Sequence, residues 1–189
     1  MLTNRIYHFL IIFSVFSCRS VQGPKENAQQ QTNKYQCVLA EADFDESTLN
    51  TGEVYQSASR YFTTTIDYGI FYFSEAYNTS NSNKAIIIDL KRNLLICYDK
   101  DGVQERNPDQ KDTLVLRRLV ETIELGSFRQ ACYNAPSEGS ASILIVRNYK
   151  QGITKYESSQ LSFNNLAETE QRKLPRMMAL LKLVETYAK

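Results

Sequence analysis

The residues able to do chemistry in this chain are few, and their spacing limits what they can do. There is one histidine, His8, in a short apolar N-terminal stretch that reads as a removable leader, so a mature chain beginning at Cys18 would contain none. Such a chain has no imidazole for a Ser-His-Asp or Cys-His hydrolase, for a zinc or iron ligand, or for a general base. The acidic cluster Glu41, Asp43, Asp45 and Glu46 puts Asp43 and Asp45 on one side of an extended segment, where paired carboxylates bind calcium or serve a glycosidase. With no DxDxDG spacing and no companion motif, it reads as a solvated acidic loop. Cys37, Cys97 and Cys132 allow one of three disulfide pairings with a thiol left over, or three buried small hydrophobes. Cys97, inside an apolar strand, reads as core. No CxxC spacing, phosphate loop, GxSxG or dinucleotide fingerprint occurs. No metal, cofactor or catalytic residue is therefore expected. Lys+Arg total 22 against Asp+Glu 21, which leaves no basic excess for nucleic acid.

The remaining chemical resource is aromatic: twelve tyrosines and nine phenylalanines, with no tryptophan. The run Tyr68 to Tyr77 suits a strand. Tyr68, Ile70, Tyr72 and Ser74 then share one face, and Gly69, Phe71, Phe73 and Glu75 the other. Phe71 and Phe73 are expected in the core. Tyr68 and Tyr72 are expected outward as ligand-binding residues, because tyrosine gives a large contact area at low rotamer-entropy cost together with a polar tip. Packing of a half-buried strand is the plainer account of the same residues.

These side chains need elements to hold them. Tyr35 to Ala40 reads as a short strand, and the Ser/Thr/Tyr-rich segment after the acidic cluster carries no clear pattern. Ala85 to Leu90 and Leu94 to Asp99 are apolar strands joined by Lys91, Arg92 and Asn93, with Asn able to take positive φ. A helix is expected from Asn107 as N-cap, with Pro108 first and Gly126 as its stop, because Leu116, Leu119, Val120 and Ile123 recur at helical spacing. Ser142 to Tyr149 and Ile153 to Leu161 form a second strand pair around Gly152. A second helix starts at Leu174-Pro175 and carries Met177, Leu180, Leu181, Val184 and Tyr187 on one stripe. Leu116 to Thr122 matches Leu180 to Thr186 closely, which points to a duplicated strand-strand-helix unit. The expected class is α+β, an antiparallel sheet with two helices on one face and Leu119 and Leu183 in equivalent, deeply buried positions. The other face is then solvated, covered by Tyr35 to Ser59, or used for binding.

The N-terminus gives an address. Arg5 is followed by an apolar run from Ile6 to Phe16, about 11 residues, short of the ~20 that span a bilayer. Val15-Phe16-Ser17-Cys18 resembles the lipobox of bacterial lipoproteins, with an apolar residue three places before the cysteine and a small one just before it. Phe16 is bulkier than that motif usually carries, so the relaxed lipobox of some Gram-negative groups is the better match. The resemblance implies that residues 1–17 are a lipoprotein signal peptide and that Cys18 carries the acyl chains, palmitate among them, that hold the protein to the membrane. It implies an envelope location, the outer membrane rather than the inner because Arg19 supplies no acidic retention signal. Residues 18–34, with Gly23, Pro24, Asn27 and four glutamines, cannot bury enough surface to order themselves and read as a tether. Residues 35–189 then form a single α+β domain.

The expected function is a non-catalytic binding domain for an envelope protein, peptide or glycan. Two alternatives stand beside it: a histidine-free carboxylate-dependent hydrolase drawing on Asp43, Asp45, Asp67 and Asp89, and an inhibitor. The second arises because the C-terminal hairpin and its Leu174-Pro175 helix faintly resemble a small family of protease-inhibitor domains.

Overall fold

A computed structural model of the chain describes residues 36–41, 52–76, 83–133, 140–158 and 165–188. The leader, Cys18, the tether, Asp43, Asp45, Glu46 and Tyr77 lie outside the described residues. In chain order the elements are β1 (Gln36–Glu41), α1 (Glu53–Thr65), β2 (Gly69–Ala76), β3 (Lys84–Asp89), β4 (Leu94–Asp99), β5 (Gly102–Arg106), α2 (Gln110–Glu121), β6 (Ser127–Tyr133), β7 (Ser140–Asn148), β8 (Gly152–Ser158), α3 (Glu168–Gln171) and α4 (Pro175–Tyr187). The fold is α+β. Its strands make one eight-stranded sheet in the order β1-β6-β8-β7-β2-β3-β4-β5, antiparallel except where β6 runs parallel to β8. The β3–β4 and β7–β8 hairpins thus flank β2 on its two sides.

The central strands are apolar on successive residues, Ile86-Ile87-Ile88 in β3 and Ile143 to Val146 in β7, which is the pattern of strands covered on both faces. Two apolar clusters follow from it. Ile70, Tyr72, Ile86, Ile88, Leu144, Val146 and Tyr156 pack with Leu116 and Val120 of α2 and with Met177, Leu180, Leu181 and Val184 of α4. Phe71, Phe73, Ile87, Ile96, Ile143 and Ile145 pack with Tyr55, Ala58 and Phe62 of α1. Phe71 and Phe73 are in the core, as the strand alternation requires. Tyr72, however, is only 3% exposed and Tyr68 9%. The expectation that both tyrosines point outward fails because the side of β2 that bears them is covered too.

Several local expectations are also revised. The Ser/Thr/Tyr-rich segment is α1, a helix despite poor intrinsic formers. Tyr55, Ala58 and Phe62 recur three to four residues apart and bury one stripe, while the Thr63 and Thr64 hydroxyls bond back to the Ser59 and Arg60 carbonyls at 2.9 and 2.8 Å. Helix α2 starts at Gln110 rather than Asn107. Asp109 is its N-cap, accepting the Lys111 N–H at 2.7 Å. It stops at Glu121, and Gly126, with φ of 133°, turns the following link. Leu119 and Leu183 are half-buried; Leu116 with Leu180 and Val120 with Val184 are buried at matching positions, while Leu181 is buried and its counterpart Arg117 is not. Strands β5 and β6 carry no strong alternation, so their sequences do not mark them as strands. The Cys37–Cys132 pair forms a disulfide directly across the β1–β6 ladder, and Cys97 is the free thiol among the described residues.

Helix α4 begins at Pro175 as its sequence indicates, but Leu174 offers no side chain to cap it. The cap comes from a distant residue. Glu124, in the link from α2 to β6, accepts the Arg176 and Met177 amide protons at 3.1 and 3.0 Å, with the Arg176 guanidinium 3.7 Å away. A carboxylate there satisfies two orphan donors and faces the positive end of the helix dipole. Glu124→Ala is therefore expected to cost about 1–2 kcal/mol in urea unfolding, by the scale of helix caps. An unchanged midpoint would show that solvent caps α4 equally well.

Candidate functional site

Three connections gather at one end of the sheet: the α1–β2 link, the β3–β4 turn and the β7–β8 turn. Each is fixed by its own residues. The link can approach β3 because residue 69 is glycine; a Cβ there would sit 2.3 Å from the Ile88 carbonyl oxygen. That proximity lets the Leu90 N–H bond to the Tyr68 carbonyl at 3.1 Å. In the β3–β4 turn Asn93 takes φ of 55°, and the buried Asp89 carboxylate accepts the Lys91 and Arg92 amides, each at 2.9 Å, and pairs with the Arg92 guanidinium. In the β7–β8 turn the buried Asn148 amide donates to the Val120 carbonyl at 3.1 Å and its oxygen accepts the Lys150 N–H at 2.9 Å, tying the turn to the end of α2.

Between these turns and the C-terminal half of α2 lies an open cavity of about 830 Å³. Its wall carries aromatic, cationic and anionic groups together. Tyr68 and Tyr149 meet edge to face, centroids 5.5 Å apart, and Tyr149 is 68% exposed at the rim beside Ile153 and Leu90. The Tyr68 hydroxyl donates to Glu121 Oε1 at 3.4 Å. Burial, and then the adjacent Glu121 carboxylate, push this phenol up to about 12, so at neutral pH it stays protonated and serves as a donor.

Two arginines reach the cavity with their orientation set by backbone. Arg117 donates to the Leu90 carbonyl at 2.7 Å, while its Nε–H is buried with no acceptor among the described residues. Arg147 donates to the Thr63 and Ile66 carbonyls at 3.0 and 2.8 Å and lies 5.5 Å from the Phe62 ring centroid. Lys91 adds a third cation, and Asp67 and Glu121 are the carboxylates. The wall thus presents planar donors, acidic acceptors and ring surface in one place, groups that can hydrogen-bond and make ring contacts with a polar molecule.

Of the residues that the sequence singled out, Tyr68 lines this cavity, and Tyr72 does not. The Tyr72 hydroxyl instead meets Glu185 Oε1 of α4 at 3.4 Å, and burial followed by that carboxylate raises its pKa strongly. Tyr72 is a core residue. Of the aspartates weighed for a hydrolase, Asp67 lines the cavity, the Asp89 carboxylate is taken up by its own turn, and Asp43 and Asp45 lie outside the described residues. Among the described residues no three His, Cys, Asp or Glu side chains assemble as a metal-ligand set. The free thiol of Cys97 lines a smaller hollow of about 210 Å³ elsewhere on the domain, where burial raises its pKa and holds it in the unreactive form. Nothing in their spacing marks Arg117, Glu121, Arg147 or Tyr149 as a set, because they come from one helix, one strand and one turn. The one local signal is Tyr149 itself, a bulky aromatic at the tip of a hairpin. Comparison of the chain with protein-family models, with curated proteins and with solved structures finds no match.

Proposed function

We propose that the chain is a lipid-anchored envelope protein of bacteria whose domain is a non-catalytic binding module, with the ligand seated in the cavity between the three turns and α2. The observation that carries the binding reading is the cavity: its volume falls in the roughly 300–1,000 Å³ range of small-molecule sites, and it is walled by rings and fixed charged groups. Its partner is an envelope protein, peptide or glycan. The anchor reading rests on Val15-Phe16-Ser17-Cys18. The Cys37–Cys132 disulfide supports export, since such bonds persist in oxidising compartments. The outer membrane is favoured by Arg19.

Both halves of the reading have direct tests. Labelled palmitate is expected to enter the wild-type chain and not Cys18→Ala, whose product should be mis-processed. Equal labelling of the two would end the anchor reading. For the module, the detergent-solubilised full chain is expected to retain a component of envelope extract that Tyr149→Ala with Ile153→Asp, both at the exposed rim, no longer retains. Identical retention by the two proteins would remove the cavity from consideration as the binding site.

We also read the domain as a duplicated unit with the helices of its two halves, α2 and α4, sharing one side of the sheet. The matching segments of α2 and α4, the equal burial of Leu116 with Leu180 and of Val120 with Val184, and the flanking of β2 by the two hairpins support it. The intervening β5 and α3 are insertions on this reading.

A further inference from the structure

We infer that the ligand of this cavity is an acidic saccharide, a sugar ring bearing a carboxylate, and this rests on the proposal that the cavity is the binding site. The lining contains Arg117, Arg147 and Lys91 against Asp67 and Glu121, a surplus of one positive charge. A purely anionic ligand would be repelled by the two carboxylates, and a purely cationic one by the three cations. The lining suits a ligand that carries one anion together with several neutral hydrogen-bond donors.

Arg117 locates the anion. Its side chain lines the cavity and its guanidinium is held in place by the Leu90 carbonyl at 2.7 Å. A ligand carboxylate set against that guanidinium would make a charge-assisted bond of the stronger kind. Lys91, on the adjoining turn, has no side-chain partner among the described residues, so it is available to the same anion. Sugar hydroxyls would donate to Asp67 and Glu121, and they would accept from the Tyr68 phenol if it turns from its long 3.4 Å contact with Glu121. The exposed Tyr149 ring, braced edge-on against Tyr68, offers the flat apolar surface on which the C–H face of a sugar ring can lie. An acidic peptide would satisfy the cations but leave Asp67 and Glu121 opposed to its own carboxylates. The cavity also has room for more than one ring.

The probes are the methyl glycoside of galacturonic acid, which carries one carboxylate, and its methyl ester, which share the ring and every free hydroxyl and differ in charge. Calorimetry with the full chain in detergent is expected to show the acid binding at least about tenfold more tightly than the ester, the measure of one charge-assisted contact. That preference should vanish in Arg117→Gln. Because Arg117 also ties down Leu90, the variant Lys91→Gln with Tyr149→Ala, at two exposed positions, provides a check free of any folding defect, and it should weaken binding at least about tenfold as well. Equal affinity for acid and ester, or affinity that neither variant changes, overturns the inference. Binding of tetraglutamate in place of the saccharide, lost in the same variants, overturns the saccharide assignment while leaving the cavity as the binding site. The failure of the broader proposal has a separate readout, retention from envelope extract that ignores the rim substitutions.

Discussion

Reducing the Cys37–Cys132 bond should lower the stability of the domain by about 4–5 kcal/mol, the chain-entropy value for a loop of this size. The two cysteines are 95 residues apart, and the segment between them contains α1, β2 to β5, α2 and most of β6. Opening the bond therefore frees a large part of the unfolded chain. In the folded state β1 is held by its ladder to β6 and by Leu39 packing on the core. It lies at the sheet edge with β6 as its single strand neighbour, and its further ties are the Leu39 N–H to Glu170 Oε2 at 3.0 Å and a bridge from Cys37 to Leu166. At roughly 2–4 °C per kcal/mol for a domain of this size, the melting midpoint is expected to fall by roughly 10–20 °C with reductant, and Cys37→Ala with Cys132→Ala should reproduce the fall. Cys97→Ala, which touches only the free thiol, should make the wild type no more or less sensitive to reductant. Matching midpoints for the oxidised and reduced protein would contradict the account.

The same pair shows where the sequence stops being informative. Three cysteines leave three pairings, and nothing local separates them, because the choice depends on β1 and β6 lying side by side and β6 has no marked pattern of its own. The α+β class, the two hairpins and the start of α4 at Leu174-Pro175 are legible because each rests on contiguous signals: apolar runs around Asn93 and Gly152, and a proline at a first helical turn. Helix α1 is not, since its serines and threonines argue locally against a helix and only its apolar stripe, packed on Phe71 and Phe73, overrides them. Glu124 is a cap that no local rule finds, because it lies far back in the chain, in the link from α2 to β6, from the helix start at Pro175 that it serves. The cavity is hidden for a related reason. Arg117, Arg147, Tyr149 and Tyr68 become neighbours only when three turns close over one end of the sheet, so Tyr68 alone is legible as a candidate ligand contact, and Tyr72, on the same face of the strand, belongs to the core.

Tyr72 and Tyr149 divide the aromatic residues into structural and ligand-facing ones, and substitution should separate them sharply. Tyr72 stands opposite Ile86 on β3 and Leu144 on β7 and shares its cluster with Tyr156, Leu180 and Val184. Removing its ring leaves a void in the centre of the sheet that neighbours fixed on both sides cannot fill, so Tyr72→Ala is expected to cost about 3–5 kcal/mol. Tyr72→Phe keeps the ring and loses the hydroxyl's bonds with Ser74 and, at 3.4 Å, with Glu185, and the cost should be about 1–2 kcal/mol. Tyr149→Ala, exposed at the rim of the cavity, should stay within about 0.5 kcal/mol of the wild type while it changes ligand binding. Urea unfolding of the three variants gives the comparison. If Tyr72→Ala unfolds at the wild-type midpoint, α2 and α4 do not cover this side of β2, and the tyrosine is free to serve a ligand after all. If it unfolds early and Tyr149→Ala does not, the aromatic chemistry available for binding lies in the turn and not in the strand.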